Sequence, residues 1–426
     1  MSESTLQLPI APVQAKSKIG SRVNAFRNVL SLQEVQRLVR DSLGPKAEAQ
    51  KHSLRQYSDG KLGFLSSHQR LTVEAKTKTG ETEILTFFVK VVPYDMPDQA
   101  EYVIGKCVFL KEKIFLRDIV PELKKSYDAE PWSPRCYLVK ENLFVFEDLG
   151  ANGYTMRDKL FTKELVVSAL TSIARMHASS LLAEDRLGVS FHQMYPDAFV
   201  ENSFARNGKT RKWFDAGINA IVAIAEHLGL DASLVPKACD EVFAGLEKSA
   251  TKRNVVSHGD LWGNNMMFSN EMPPRCLLVD FQLIRYAPLA HDVAQLLYLC
   301  TDRSFRASSE ETMLKHYYSV LCETLKSAET RIEIPPWSEI VEGYEEQRLA
   351  GAVAAATFFQ TVLMNENIGA EIMSNSESYN RYVFEDRNDF VFAIMKDDPG
   401  YRKRVTESAV EMVDLSFRLH RLPKPS

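Results

Sequence analysis

The chain has little of what usually marks a specialised class. Its 426 residues include six cysteines, Cys107, Cys136, Cys239, Cys276, Cys300 and Cys322, with no CxxC and no neighbouring histidines. That spacing excludes a structural zinc site and a dense disulfide framework, and buried thiols in a reducing compartment are expected. Basic charge is not in excess, since 52 Lys and Arg stand against 56 Asp and Glu, a net charge of −4. A protein that binds nucleic acid by neutralising phosphates carries a basic surplus, so no nucleic-acid partner is expected. No apolar run approaches the roughly 18 residues that cross a bilayer, and Met1 to Lys18 lacks a basic stretch followed by an apolar one. No membrane partner and a cytoplasmic location follow as expectations, with a monomer as the default. Repeats are absent, and 19 Gly and 18 Pro are too few for a collagen-like or low-complexity chain. What remains is an ordinary globular composition, 45% hydrophobic, on a chain long enough to bury a large core.

Residues 1–25 show no apolar periodicity and read as a flexible leader. Ser31 then precedes Leu32, Val35, Leu38 and Val39, an N-cap in front of a helical stripe that stops near Gly44-Pro45. Residues 70–76 and 84–92 are β-prone and are separated by a Gly turn at 78–81, which predicts a hairpin. A helical pattern over 101–119 follows, then short strands at 136–139 and 143–146. Beyond Gly150 the chain turns helical at 163–182, 211–228, 234–248, 289–301, 308–326, 337–363 and 403–418, with a β-rich island at 254–282. The expected architecture is α+β and bilobal: a small antiparallel-sheet lobe over 26–150, a connector near 147–153, and a large helical lobe over 151–426 that contains the island.

The island holds the densest polar signal. An apolar strand delivers His258, Gly259 and Asp260 into a loop, Asn265 lies five residues beyond Asp260, and a second apolar strand ends at Asp280. A hairpin of these two strands would bring Asp260, Asn265 and Asp280 to one spot. Two carboxylates and an amide oxygen suit a hard divalent cation that keeps waters and substrate phosphates, as Mg²⁺ does. Singly, each of the three is a common turn or cap residue.

The order H-x-D-x-x-x-x-N, then Asp after an apolar strand, resembles the catalytic and metal loops of protein-kinase-like phosphotransferases. The form Ser257-His-Gly-Asp-Leu-Trp-Gly-Asn-Asn265 is similar to the small-molecule branch, the aminoglycoside and choline kinases, and most of all to the ecdysteroid-kinase-like family. Three more segments carry that likeness: Ile173-Ala-Arg-Met-His-Ala-Ser179, Val145-Phe-Glu-Asp-Leu149 and Phe88-Val-Lys-Val-Val-Pro93. It runs from about residue 35 to 420 and implies a protein-kinase-like fold that uses ATP and Mg²⁺.

The resemblance implies the following roles. Asp260 matches the catalytic aspartate that orients the acceptor hydroxyl, and Asn265 and Asp280 match the metal ligands. Lys90 matches the strand lysine on the α- and β-phosphates, and Glu112 the helix glutamate that pairs with it. Phe146, Glu147 and Asp148 form the connector whose backbone faces the adenine edge. His258 and Asp292 match residues that brace the catalytic loop, and His177 is expected to pack structurally. No G-x-G-x-x-G occurs, so Gly63 and Ser66 (or Ser67) are the candidates for a looser phosphate loop. Asp280 is followed by Phe281-Gln282 in place of Phe-Gly.

The implied function is an ATP-dependent kinase acting on a hydroxyl of a small organic acceptor, with a steroid such as an ecdysteroid as the leading candidate. Two alternatives stay open: a nucleotide-binding pseudokinase or scaffold, and a choline- or aminoglycoside-type kinase. A cationic acceptor needs an acidic or aromatic cage. The sequence offers Trp337, Glu342, Tyr344, Glu345 and Glu346 for one, alongside Phe358 and Phe359.

Overall fold

The computed structural model describes residues 30–57, 66–94, 97–328 and 332–426. The expected leader over 1–25 and the candidate Gly63 lie outside the described residues. Helix α1, Leu32–Leu43, starts with a capping box: the Ser31 hydroxyl accepts from the Glu34 N–H, and the Glu34 carboxylate accepts from the Ser31 N–H at 2.7 Å. Such a cap contributes about 1 kcal/mol to a helix end. The helix buries Val35, Leu38 and Val39 on the back of a five-stranded antiparallel sheet of order β1-β2-β3-β5-β4.

The strands are β1 (Glu48–Gln56), β2 (Ser67–Lys76), β3 (Thr82–Val91), β4 (Cys136–Val139) and β5 (Leu143–Glu147). The expected hairpin is β2–β3, paired from Ser67 opposite Val91 to Lys76 opposite Thr82. Strand β1 was not expected, because none of its residues is buried and it carries no apolar alternation. Its backbone pairing with β2 holds it in place. Strand β3 sends Phe87, Val89 and Val91 into the core under α1. Period-two alternation therefore turns Phe88 and Lys90 to the opposite face.

The single helix expected over 101–119 is broken. Helix α2 spans Pro97–Gly105, and Cys107 then adopts a left-handed conformation with φ of 56°. Helix α3 (Val108–Ile114) follows and continues through a π-helical turn at Phe115–Ile119 into α4 (Val120–Ser126). After a two-residue strand β6 (Tyr154–Thr155), the chain enters its helical part.

The central element there is α5, Lys163–Leu187, which is long and apolar enough to cross a membrane by length and composition. This corrects the expectation that no such run exists. Here α5 lies in the core, against α4 and the strands of the island. Around it stand α6 (Gly208–His227), α7 (Ala290–Cys300), α8 (Arg303–Ser327), α9 (Trp337–Val362), α10 (Glu366–Ser374), α11 (Asn388–Asp397) and α12 (Pro399–Phe417). The segment expected as one helix over 234–248 forms two short pieces, Val235–Asp240 and Val242–Gly245.

The island differs from its expected hairpin. The strand that delivers His258, β7 (Asn254–Ser257), pairs with β10 (Arg285–Pro288), downstream of Asp280. The hairpin is instead β8 (Met266–Ser269) with β9 (Cys276–Leu278). Phe144 and Phe146 on the front of the sheet join the same apolar core as α5 and the island, so the two parts are packed together at that face.

Candidate active site

A cavity of about 620 Å³ lies between the front of the sheet and the helical part. Lys90, Glu112, Asp260, Asn265 and Asp280, distant in sequence, all line it.

At its polar end the Lys90 ammonium meets Glu112 Oε2 at 2.6 Å and Asp280 Oδ1 at 2.7 Å. Lys90 and Glu112 are buried. Burial pulls Lys90 down, but the charges of Asp280 and Glu112 outweigh it and hold the ammonium above its ordinary value. Burial pushes Glu112 up, against the pull of Lys90. Asp280 stands at φ of 68°, a strained conformation for a residue with a Cβ. Gln282 bridges the group, donating to Asp280 Oδ2 at 3.1 Å and lying 3.5 Å from the Lys90 ammonium. Sequence reasoning noted Gln282 only as a missing glycine; its place beside a buried ion pair is visible only in three dimensions.

Asp260 is positioned by its backbone. The Asp292 carboxylate accepts from the N–H groups of His258 (2.6 Å) and Gly259 (2.9 Å). Gln295 accepts from Leu261 N–H at 2.8 Å and donates to Gly259 O at 3.0 Å. Gly259 sits at φ of 74°, and a Cβ there would come within 2.3 Å of the Leu283 carbonyl oxygen. Buried His177 braces Asp292 at 3.1 Å and is held on its other nitrogen by the Tyr317 hydroxyl at 2.8 Å. Burial would raise Asp292, but the hydrogen bond from His177 and the nearby imidazoles hold it well below the carboxylate range. His258 contacts the Val279 carbonyl through Nε2 at 3.0 Å and packs on Phe281. Neither His258 nor Asp292 reaches the cavity wall.

The Asn265 amide nitrogen donates to the Asp260 carbonyl at 2.8 Å and to its carboxylate at 2.9 Å. The amide oxygen of Asn265 is the atom left for a cation. Burial, and then the charge of Asp280, push Asp260 up to about 7. Glu112 and Asp280 share Lys90, and Asp280 in turn faces the charge of Asp260, a repulsion between two carboxylates that a divalent cation would relieve. Among the described residues no group of three or more His, Cys, Asp and Glu could hold a metal ion alone. Two protein oxygens, with the remainder from phosphates and water, fit Mg²⁺.

The rest of the wall corrects several expectations. Phe146 and Glu147 line the cavity, joined by Leu149 and Gly150, but Asp148 does not. The Asp148 side chain accepts from the Tyr57 hydroxyl at 2.8 Å and Arg70 Nε at 2.9 Å, fastening the connector to β1 and β2. Ser66 is buried off the wall, 2.7 Å from His68 Nε2, and it is His68 that lines the cavity, with Tyr57 and Phe88. Of the residues suggested for a cation cage, none lines the cavity, whereas Phe358 does. Glu345 pairs with Arg348 at 2.6 Å, Glu346 with Lys252 at 2.6 Å, and Tyr344 donates to Glu310 at 2.6 Å.

The end beyond Asp260 is lined mainly by rings and aliphatic groups, Trp213 of α6, Phe358 and Val362 of α9, then Met364, Tyr379 and Tyr382, with Thr361, Asn365 and Ser376 among them. Buried Arg387 staples this wall from behind, donating to the carbonyls of Trp213 and Tyr382, each at 3.1 Å, and to Gln360 Oε1 at 3.3 Å. No local sequence signal marks this wall.

The sequence model of the ecdysteroid kinase-like family matches residues 62–330. The chain belongs to that family. It is a phosphotransferase that acts on an alcohol group of a small molecule, built from an antiparallel-sheet part and a large helical part. Among solved structures, it is similar to a spectinomycin phosphotransferase in complex with ADP and spectinomycin, at 12% identity over 89% of this chain and 98% of that one, with a TM-score of 0.41. The ethanolamine kinase of Plasmodium vivax is 10% identical over 93% and 98%, with a TM-score of 0.39. The choline kinase of Cryptosporidium parvum is 13% identical over 80% and 93%, with a TM-score of 0.38. No curated protein matches the sequence.

Proposed function

We propose that the protein transfers the γ-phosphoryl group of ATP to a hydroxyl of an uncharged, lipophilic acceptor of steroid size, such as an ecdysteroid. The observation that carries this reading is the cavity itself, with the carboxylates and Lys90 at one end and a cluster of rings at the other. An apolar wall with a few converging polar groups is the usual form of a small-molecule site. Among the described lining residues the carboxylates are Glu112, Glu147, Asp260 and Asp280, and none stands on the aromatic wall. A cage for a quaternary or primary ammonium combines rings with negative charge, so this wall favours a neutral acceptor over choline or an aminoglycoside.

In this reading Asp260 orients the acceptor hydroxyl and takes its proton as the oxygen attacks the γ-phosphorus. Lys90, positioned by Glu112, contacts the α- and β-phosphates. Phe146 and Glu147 offer backbone to the adenine edge, between Tyr57, Phe88 and Met267 on the wall. Asn265 and Asp280 would hold Mg²⁺, whose charge offsets that of the phosphates when bound. His258 and Asp292 fix the loop that carries Asp260.

The test is a panel of steroids, glycosides and amino-alcohols incubated with labelled ATP and Mg²⁺. Turnover confined to neutral lipophilic alcohols is the expected result. Faster turnover of choline or an aminoglycoside would replace this acceptor class, and ATP binding with no turnover of any alcohol would favour a scaffold.

A further inference from the structure

Three lysines line the cavity, Lys90, Lys106 and Lys159. Lys90 is held by Glu112 and Asp280. The Lys159 ammonium donates to the Val362 carbonyl. Lys106 differs from both. Among the described residues its ammonium has no hydrogen bond or ion pair, and it lies over the Tyr102 ring, 5.0 Å from the centroid. Gln99, Tyr102 and Lys106 lie on one face of α2 and its last turn, and all three line the cavity.

The backbone under Lys106 is not loose. Its N–H donates to Tyr102 O at 2.9 Å, and its carbonyl accepts from Asn202 Nδ2 at 2.9 Å. The neighbour of Asn202 is Glu201, whose carboxylate grips Arg285 at 2.6 and 3.1 Å. Arg285 in turn donates to the Gly259 carbonyl at 2.5 Å, one residue before Asp260. Hydrogen bonds and the Glu201–Asn202 peptide link thus tie the backbone of Lys106 to the loop that carries Asp260. The two side chains lie close enough for each to feel the other's charge. Burial pulls Lys106 down to about 8, with Glu201 and Asp260 pulling the other way.

An ammonium on the cavity wall that no protein carboxylate pairs, on an anchored backbone, points to an anion that arrives with the substrate. In phosphoryl transfer, negative charge spreads over three equatorial oxygens of the moving group, and a cation aimed at them lowers the barrier. The segment from Ser257 to Asn265 contains no lysine or arginine to do this.

We infer that Lys106 is a catalytic residue that contacts the equatorial oxygens of the phosphoryl group in transit. The inference rests on the phosphotransferase reading above. The acceptor oxygen forms its bond to phosphorus as the bond to the bridging oxygen of ADP breaks, and the electron pair leaves with ADP. The hydroxyl proton passes to Asp260, and Lys106 stays protonated throughout.

The test needs no acceptor. The full chain is titrated with ADP and Mg²⁺, with and without aluminium fluoride, which mimics the planar phosphoryl group. Wild type is expected to bind ADP at least tenfold tighter with the fluoride present. Lys106→Met is expected to keep its ADP affinity within about twofold and its melting temperature, yet lose that tenfold gain, with Lys106→Arg restoring part of it. A full gain in Lys106→Met overturns the inference, and so does a wild type that binds ADP but gains nothing from fluoride. If wild type binds no ADP, the kinase reading falls first and this inference with it.

Discussion

At the polar end of the cleft a charged group is held by other charged groups: Lys90 by Glu112 and Asp280, with Gln282 bridging. At the aromatic end the wall is made mainly of rings, and the buried Arg387 behind it is satisfied mainly by backbone carbonyls. The first arrangement fixes atoms to within a hydrogen bond and suits chemistry on phosphates. The second fixes a shape and suits recognition by fit. The difference is also one of tolerance: ionic geometry fails when one partner is removed, whereas an apolar wall loses affinity in proportion to the area removed.

The strongest way to break this comparison is at the polar end. Asp280→Ala is expected to reduce turnover by about 10³-fold or more, in line with loss of electrostatic stabilisation at a phosphoryl-transfer centre. It should also abolish the Mg²⁺-dependent protection that ATP gives against heating. Undiminished protection in a thermal-shift experiment would remove Asp280 from the metal. Asp260→Asn is nearly isosteric, so ATP affinity should survive while turnover falls by about 10²-fold; full rate would end its assignment as base.

The aromatic end is tested next through its staple. Arg387→Met leaves the buried carbonyls of Trp213 and Tyr382 without their donor, a loss of about 3 kcal/mol in urea unfolding. A variant as stable as wild type would show that these helices hold the wall without it. Phe358→Ala, on the wall itself, should raise the acceptor KM about tenfold and leave the KM for ATP unchanged. A matching rise in both would mean that the two ends are not separate.

The smallest expected effect sharpens the link between them. Burial would raise the Glu201 carboxyl, but the charge and hydrogen bonds of Arg285 hold it down to about 2, against an ordinary value of 4.5. Its folded value is lowered, so it adds stability above pH 4.5 that is lost as the pH falls toward 2. Between pH 6 and pH 4 this amounts to about 0.8 kcal/mol. Urea titrations should find that wild type loses about that much more than Glu201→Gln over this interval; equal losses would show that Arg285 does not set the Glu201 charge.

Much of the polar end was legible because its signals are local. The segment from Phe88 to Pro93 marked Lys90 through its resemblance to the family's strand, and the spacing from His258 to Asn265 marked a loop with hydrogen-bonding residues at its corners. The Ser31 cap was readable for the same reason, since its partners lie three residues apart. Strand β1 was not, because it is held by pairing with β2 and has no buried stripe of its own. The break after α2 was missed because a left-handed Cys107 has no compositional mark. The pairing of β7 with β10 defeated the simple hairpin reading, since the register depends on strands that close only after the Asp280 turn.

The sequence by itself determined which residues carry charge, which strand faces inward, and the order of the catalytic segment. These follow from backbone periodicity and turn chemistry, which act over a few residues. Only the tertiary structure decided that Trp213, Phe358 and Tyr382 form one wall, and that Lys106 stands free beside Asp260. Those residues come from elements separated by long stretches of chain. Their convergence is set by how helices pack and by which buried polar groups must find partners, and neither is written in any one segment.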